Sequence, residues 1–305
     1  MSDTLPTPMC PRCGYDLSGL VSTWLESCPM EGLCSECGLE FHCAHVMSPS
    51  LIGPRWSYEH SLTRSSRRWW ATSWVSLWPW RLCRELWVDH RLRVGRVLRF
   101  GLIWALVIHL SAFALTLGSA VMTGSNIPVV YRMGSWQYPD LWNPEFWMQA
   151  GRMLAFPYAF DMIIPRGFAS SVRPPLGPIF LLIFGPALLM PMWMTLLGSS
   201  MQIARVRPVH LLRGLCLSLP SAAAWVILTL AAIVVTEVFT SFPAPGVAAV
   251  AILAWLPYHL TWWYLFVRVY LRLRHAAAVV ILNAVMSVLL IVVSFVLFML
   301  NGIRF

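Results

Sequence analysis

Four cysteines near the amino terminus form two CxxC pairs, and their type and spacing predict metal chemistry. Cys10 and Cys13 lie in "CPRCG", Cys34 and Cys37 lie in "CSECG", and twenty residues separate the two pairs. A CxxC turn can direct both thiolates to one side, and two such turns complete a tetrahedral tetrathiolate site. The spacing therefore predicts that these four cysteines are the ligands of one metal ion.

The residues beside the cysteines agree with this prediction. Gly14 and Gly38 each follow the second cysteine of a pair, where a positive φ lets backbone amides turn toward the sulfurs. A segment of about 40 residues buries too little apolar surface to fold alone, so we expect the metal to replace a core. A tetrathiolate zinc site has no open coordination position and stabilises a fold rather than activating water. We expect zinc, with iron less favoured, and no catalytic residues.

Other cysteines and histidines compete for a place in this ligand set. The nearby candidates are Cys28, His42, Cys43 and His45. Cys28 is the most credible substitute, although its spacing from Cys34 is poor for a CxxC-type turn. Cys83 and Cys216 are expected to be small apolar fillers elsewhere in the chain.

The composition predicts a membrane protein. Apolar residues make up 58% and charged residues 11% of the chain, whereas a soluble domain carries about a quarter charged residues. A membrane-spanning helix needs about 20 apolar residues. Five stretches meet this requirement: 100–122, 177–199, 214–238, 246–267 and 276–300. The predicted fold is an all-α polytopic membrane protein of five transmembrane helices, with a small amino-terminal zinc ribbon built on rubredoxin-like knuckles.

The distribution of arginine predicts the orientation. Arginines cluster before the first span, between the second and third, and between the fourth and fifth, while the short loop 239–245 has no charge. By the positive-inside rule, the amino terminus is cytoplasmic and the carboxyl terminus lies outside. Residues 1–9 lack the features of a cleavable signal peptide. The expected location is the bacterial cytoplasmic (inner) membrane, where the ribbon thiols stay reduced.

Three parts of the chain are expected. Residues 1–48 form the cytoplasmic ribbon, residues 49–99 a linker with a Trp/Arg-rich interfacial segment, and residues 100–305 the membrane domain with an outer loop at 123–176. Tryptophan and arginine together suit the lipid headgroup layer, so anionic headgroups are the expected partner of segment 69–99, and nucleic acid is disfavoured. In the outer loop we expect an interfacial helix at 144–164.

The first hundred residues resemble a known kind of protein. "CPRCGYDLSGL", "CPMEGLCSECGLEF", "GPRW" and "RVGRVLRF" are similar to the start of uncharacterised multi-spanning membrane proteins of planctomycetes, which carry an amino-terminal zinc ribbon before their spans. That resemblance implies the same architecture. It implies no activity, because the family has none established. In topology alone, the chain resembles five-span Yip1-type membrane proteins.

These features support three hypotheses for function. The leading one is a non-enzymatic membrane scaffold or adaptor whose ribbon docks a cytoplasmic protein. A transporter or lipid-handling permease is the first alternative, in which Glu237 or His259 matters more than the ribbon. A rubredoxin-like membrane electron carrier, with iron in the knuckles, is the second. The sequence has no nucleophile–base, nucleotide-binding or metalloprotease motif, so it does not predict an enzyme.

Overall fold

The computed structural model is mostly helical and forms two compact units. It describes residues 8–24, 29–43, 46, 53–60, 65–88, 90, 92–123, 129–133, 136–155, 189–194, 205–239, 244–273 and 275–302. The first unit comprises Met1–Leu102, Leu188–Ser221 and His259–Val285, and the second comprises Ile103–Ala187, Ala222–Tyr258 and Met286–Phe305.

The ribbon begins the first unit. A single helical turn, α1 (Ser18–Val21), is followed by strands β1 (Glu31–Leu33) and β2 (Glu40–His42), which pair antiparallel with Gly32 opposite Phe41. A Cβ atom at Gly32 would lie 2.8 Å from the Phe41 ring, so only glycine fits there.

Long helices make up most of the remaining described chain. They are α2 (Ser66–Ser76), α3 (Pro79–Glu85), α4 (Val94–Thr123), α5 (Pro144–Ala155), α6 (Pro208–Phe239), α7 (Ala244–Leu265), a π-helical turn at Phe266–Tyr270, and α8 (Ala276–Gly302). Proline inside α6 and α7, at Pro220 and Pro257, is compatible with membrane helices because neighbouring groups can satisfy the freed carbonyls.

Two helices in the described part of the chain are long and apolar enough to cross a membrane. They are Val94–Ala114 and Pro208–Thr229, and Ala276–Leu289 is a shorter apolar helix. The prediction of five spans is therefore not supported as a whole. Helices α7 and α8 cover the predicted spans 246–267 and 276–300. The predicted span 177–199 lies outside the described residues except for 189–194, which are helical.

Close approaches hold the helices of the first unit together. A Cβ atom at Gly101 would lie 2.5 Å from Cys216 Sγ, and one at Gly214 would lie 2.6 Å from the Phe266 ring. Small residues at helix contacts let backbones approach in this way. Trp262 is fully buried and donates from Nε1 to the carbonyl of Ser76 at 3.1 Å, which joins α7 to α2.

The second unit contains a β-hairpin that the sequence did not predict, formed by β3 (Val129–Met133) and β4 (Trp136–Pro139). Helix α5 lies within the range predicted for an interfacial helix, 144–164, but it ends at Ala155, and the rest of that range lies outside the described residues. Its buried Phe146 and Met153 pack against side chains of α4. His109 donates from Nε2 to the carbonyl of Leu154 at 2.7 Å, which joins α4 to α5.

Candidate metal centre

The four predicted cysteines meet at one point of the ribbon. Their sulfurs all lie within 4.8 Å of one another, with Cys10 and Cys37 at 3.6 Å and Cys13 and Cys34 at 3.8 Å. Four sulfurs placed about 2.3 Å from a tetrahedral zinc would be about 3.8 Å apart. The arrangement therefore fits one tetrathiolate-bound metal ion.

Both knuckles have the same backbone geometry. Gly14 donates its N–H to the carbonyl of Cys10 at 2.8 Å, and Gly38 donates to the carbonyl of Cys34 at 2.9 Å. The two glycines have φ values of 78° and 64°, a region that favours glycine. Backbone N–H groups then bond to the sulfurs: those of Arg12 and Cys13 to Cys10, those of Glu36 and Cys37 to Cys34, and that of Leu39 to Cys37.

The thiols differ in their affinity for protons. Burial raises the pKa of Cys10 far above its ordinary value and that of Cys37 to about 11, against the lowering effect of backbone N–H groups. At Cys34 burial also raises the pKa, but N–H groups and neighbouring thiols outweigh it, so the pKa falls below its usual value. Cys10 and Cys37 thus retain their protons at neutral pH unless a cation displaces them.

The competing ligands do not join this cluster where the structure describes them. Cys43 is buried beside Gly32. Its Sγ lies 3.3 Å from the position that a Cβ atom on Gly32 would occupy. His42 stacks on Trp87, with ring centroids 5.3 Å apart. Cys28 and His45 lie outside the described residues.

Both knuckles contact a distant part of the chain, the segment that leads into α6. His210 Nε2 lies 2.8 Å from the carbonyl of Pro11, and Arg207 donates its N–H to the carbonyl of Arg12 at 3.1 Å. Arg205 bonds to the carbonyl of Glu36 and forms an ion pair with its carboxylate. Pro11 and Arg12 lie between the first pair of cysteines and Glu36 between the second pair. Segment 205–210 therefore contacts both metal-binding turns.

A buried polar network continues from His210. The Pro11 carbonyl can only accept, so His210 Nε2 carries the proton and Nδ1 accepts from the Tyr270 hydroxyl at 2.9 Å. That hydroxyl accepts from Arg213 Nη1 at 2.8 Å, and Arg213 Nη2 lies 2.7 Å from Glu59 Oε2. The side chain of Arg213 is 0% exposed and that of Glu59 is 7% exposed. The π-helical turn places Tyr270 where it can join these groups.

A second basic segment also contacts the ribbon. Arg272 donates from Nη1 to the carbonyl of Glu40 at 2.8 Å, and its guanidinium carbon lies 5.8 Å from the Trp87 ring centroid. Arg205 and Arg272 both have a positive φ, of 50° and 55°, which is uncommon for residues other than glycine. In both basic segments, an arginine with a positive φ is thus among the residues that bond to the ribbon.

Two described polar residues of the long helices contact groups within their own helices. His259 is fully buried, with its ring edge-on to Trp263 at 6.4 Å. Asn283 donates to the carbonyl of Val279 in its own helix at 2.6 Å. The side chain of Glu237 lies outside the described residues. Cys83 and Cys216 are buried among apolar groups, as predicted, and burial raises the pKa of Cys83 to about 12.

Sequence reasoning found the cysteines and missed the network. The signal was present in "RVRPVHLLR" and "VRVYLRLRH", two arginine-rich segments that each contain a histidine. Of these histidines, His210 is buried and His275 is exposed, and the patterns alone do not distinguish them. No family model, curated protein or solved structure matches this chain.

Proposed function

We propose that this chain is a non-enzymatic integral membrane scaffold or adaptor, in which a zinc-bound cytoplasmic ribbon docks a protein partner. The apolar side chains that the ribbon leaves exposed carry this proposal, since segment 205–210 already occupies both knuckles. A tetrathiolate ion has no open position for a substrate. Its role is then to hold the knuckle loops in the shape that meets segment 205–210.

The proposal includes five spans, with the amino terminus in the cytoplasm. Two apolar helices of sufficient length support membrane insertion. The ribbon contacts Arg205, Arg207 and Arg272, and the positive-inside rule assigns such basic segments to the cytoplasmic side. The ribbon and both basic segments then share one side of the membrane.

The ribbon retains surface for a partner. Large apolar side chains remain exposed on it, at Met9, Tyr15, Met30 and Leu33. Leu33 is 58% and Met30 86% exposed, so both are accessible to a partner. We take these side chains as the docking surface, because the knuckle loops are already occupied by the chain itself.

Crosslinking from the ribbon tests this function. A photoreactive residue at Leu33 of the full chain should crosslink in cells to one discrete cytoplasmic protein. The same residue at Leu102, which is 66% exposed on a candidate span, is the control and should not give that product. In a Cys13→Ser background the product should be lost while the chain remains in the membrane fraction. Equal crosslinking with and without Cys13, or none from Leu33, would contradict a docking role.

Metal content and the visible spectrum of the same purified chain separate the alternatives. One colourless zinc per chain is expected. Iron with strong thiolate-to-iron absorption would replace this proposal with the electron carrier. Neither candidate span contains a carboxylate, a group on which transporters and proton relays commonly depend within the membrane, so the permease has less support.

A further inference from the structure

Helix α2 buries hydroxyl groups and exposes two tryptophans. Its buried residues are Thr72, Ser73, Val75 and Ser76, three of which carry hydroxyl groups. Trp70 and Trp74, one helical turn apart, are 63% and 61% exposed. A helix on the surface of a soluble protein turns its apolar side inward and its polar side to water. The exposed indoles opposite buried hydroxyl groups indicate that a medium or a surface other than water contacts these rings.

The buried side of α2 explains why the hydroxyl groups point inward. Thr72 Oγ1 accepts from the N–H of Tyr58 at 2.8 Å, and Ser73 and Ser76 donate to carbonyls one turn earlier in the helix at 2.9 and 2.8 Å. The carbonyl of Ser76 accepts from Trp262. The bonds from Tyr58 to Thr72 and from Trp262 to Ser76 attach this side of the helix to the protein, so Trp70 and Trp74 lie on the other side.

The exposed side continues into α3 and is mixed with positive charge. Trp78 and Trp80 are 57% and 62% exposed. Arg67 and Arg84 are also exposed, whereas Arg81 is paired with Glu85 at 2.9 Å. Indole rings favour the boundary between headgroups and acyl chains, and arginines beside them favour anionic headgroups. The chain then enters α4, a candidate span, at Val94.

We propose that Trp70, Trp74, Trp78 and Trp80, with Arg67 and Arg84, form a surface that lies in the headgroup layer of an anionic phospholipid bilayer. The composition of segment 69–99 predicts lipid contact in general terms, and the structure assigns the rings and arginines that make it. The exposed arginines beside the rings and the candidate span that begins at Val94 favour lipid over a water-borne partner. This surface is separate from the ribbon, so it stands or falls independently of the docking function.

Fluorine NMR of the full chain tests the location of the rings. The chain is labelled with fluorotryptophan and reconstituted in bilayer discs of phosphatidylcholine and phosphatidylglycerol in equal parts. Each ring is assigned by a single Trp→Phe substitution. Nitroxide-labelled lipid should broaden the lines of the four exposed rings severalfold more than a water-soluble gadolinium chelate does. Trp262, which is fully buried, gives the line broadening expected of a ring that contacts neither lipid nor water.

Two results would overturn the proposal. Stronger broadening by gadolinium would place the rings in contact with water. A soluble protein or a nucleic acid would then be the expected partner of this surface. Lines as insensitive as that of Trp262 would mean that a second protein surface covers them.

The charge of the surface is tested by lipid selection. The full chain is purified from the same lipid mixture, and the ratio of phosphatidylglycerol to phosphatidylcholine that remains bound is measured. The double variant R67Q/R84Q should lower this ratio by about twofold or more, since each arginine near the membrane surface favours anionic lipid. R55Q removes an exposed arginine outside α2 and α3 and should leave the ratio unchanged. Equal ratios in all three proteins would overturn the selection for anionic lipid.

Discussion

The candidate metal site consists of four thiols that the two knuckles present through the same backbone bonds. Each knuckle closes with a glycine N–H bonded to the carbonyl of its first cysteine. Such turns form from residues that are adjacent in sequence, so the spacing of the cysteines is sufficient to predict them. The metal's identity is a different matter, because a tetrathiolate site accommodates zinc or iron.

Replacing one thiol ligand should release the metal, while replacing a nearby cysteine should not. Cys13→Ser removes one of four thiolates and should weaken metal binding by about 100-fold or more, since the affinity is shared among the ligands. Cys43→Ser is the matched control, because Cys43 is buried in the ribbon outside the four-sulfur cluster. Competition with a chromogenic chelator measures both. Equal metal loss in the two variants would show that the ligand set is wrong.

Acid should release the metal. Burial raises the pKa of Cys10 strongly and that of Cys37 to about 11, so both are protonated at neutral pH in the metal-free chain. Binding must displace at least two protons, and the affinity should increase about 100-fold per pH unit between about pH 6 and 8. The stability that the metal supplies is present at high pH and is lost as pH falls. Chelator competition across this range would contradict the prediction if the dissociation constant did not change.

At the scale of elements, the ribbon is joined to α6 and to the π-helical turn through one chain of donors and acceptors. Arg213 donates to Tyr270, Tyr270 to His210, and His210 to the carbonyl of Pro11. Pro11 and His210 are 199 positions apart in sequence. No local pattern encodes a contact of this kind, which is why the cysteines were predictable and the network was not.

Removing the Tyr270 hydroxyl should loosen the ribbon. Tyr270→Phe leaves His210 Nδ1 and Arg213 Nη1 without this bond in a buried site, at a cost of about 1–3 kcal/mol. We expect metal to pass to a chelator about tenfold faster in this variant. Tyr264→Phe makes the same chemical change on the same stretch of chain at a side chain that is 39% exposed, and should have no effect. Identical transfer rates in both variants would contradict a role for the network in holding the knuckles.

Over the whole molecule, charge is divided between the ribbon and the rest of the chain. Residues 1–48 contain six acidic residues and one arginine, although the chain as a whole carries a formal charge of +9. A zinc tetrathiolate would add two further negative charges. The ribbon is therefore attracted to the basic segments that it contacts. Composition alone hides this division, because the sum of all charges is strongly positive.

The same contacts restrict how the chain can cross a membrane. Segment 205–210 and Arg272 both bond to the ribbon, so all three must lie on one side. The chain must then cross an even number of times before residue 205, and again an even number of times between residues 213 and 272. Helices α4 and α6 are each long and apolar enough to supply one crossing. If each does, the five-span proposal provides a returning crossing for each, with 177–199 and α7 as the predicted segments and α8 as the fifth span.

Reporter fusions test this topology. Alkaline phosphatase, which is active outside the cytoplasm, should be active when fused after residues 126, 242 and 305. A fluorescent protein that matures in the cytoplasm should fluoresce when fused after residues 203 and 274. Phosphatase activity at 203 or 274 would separate that basic segment from the ribbon and contradict the contacts on which the topology rests. Fluorescence at 242 would instead remove α6 from the set of spans, because its two ends would then lie on the same side.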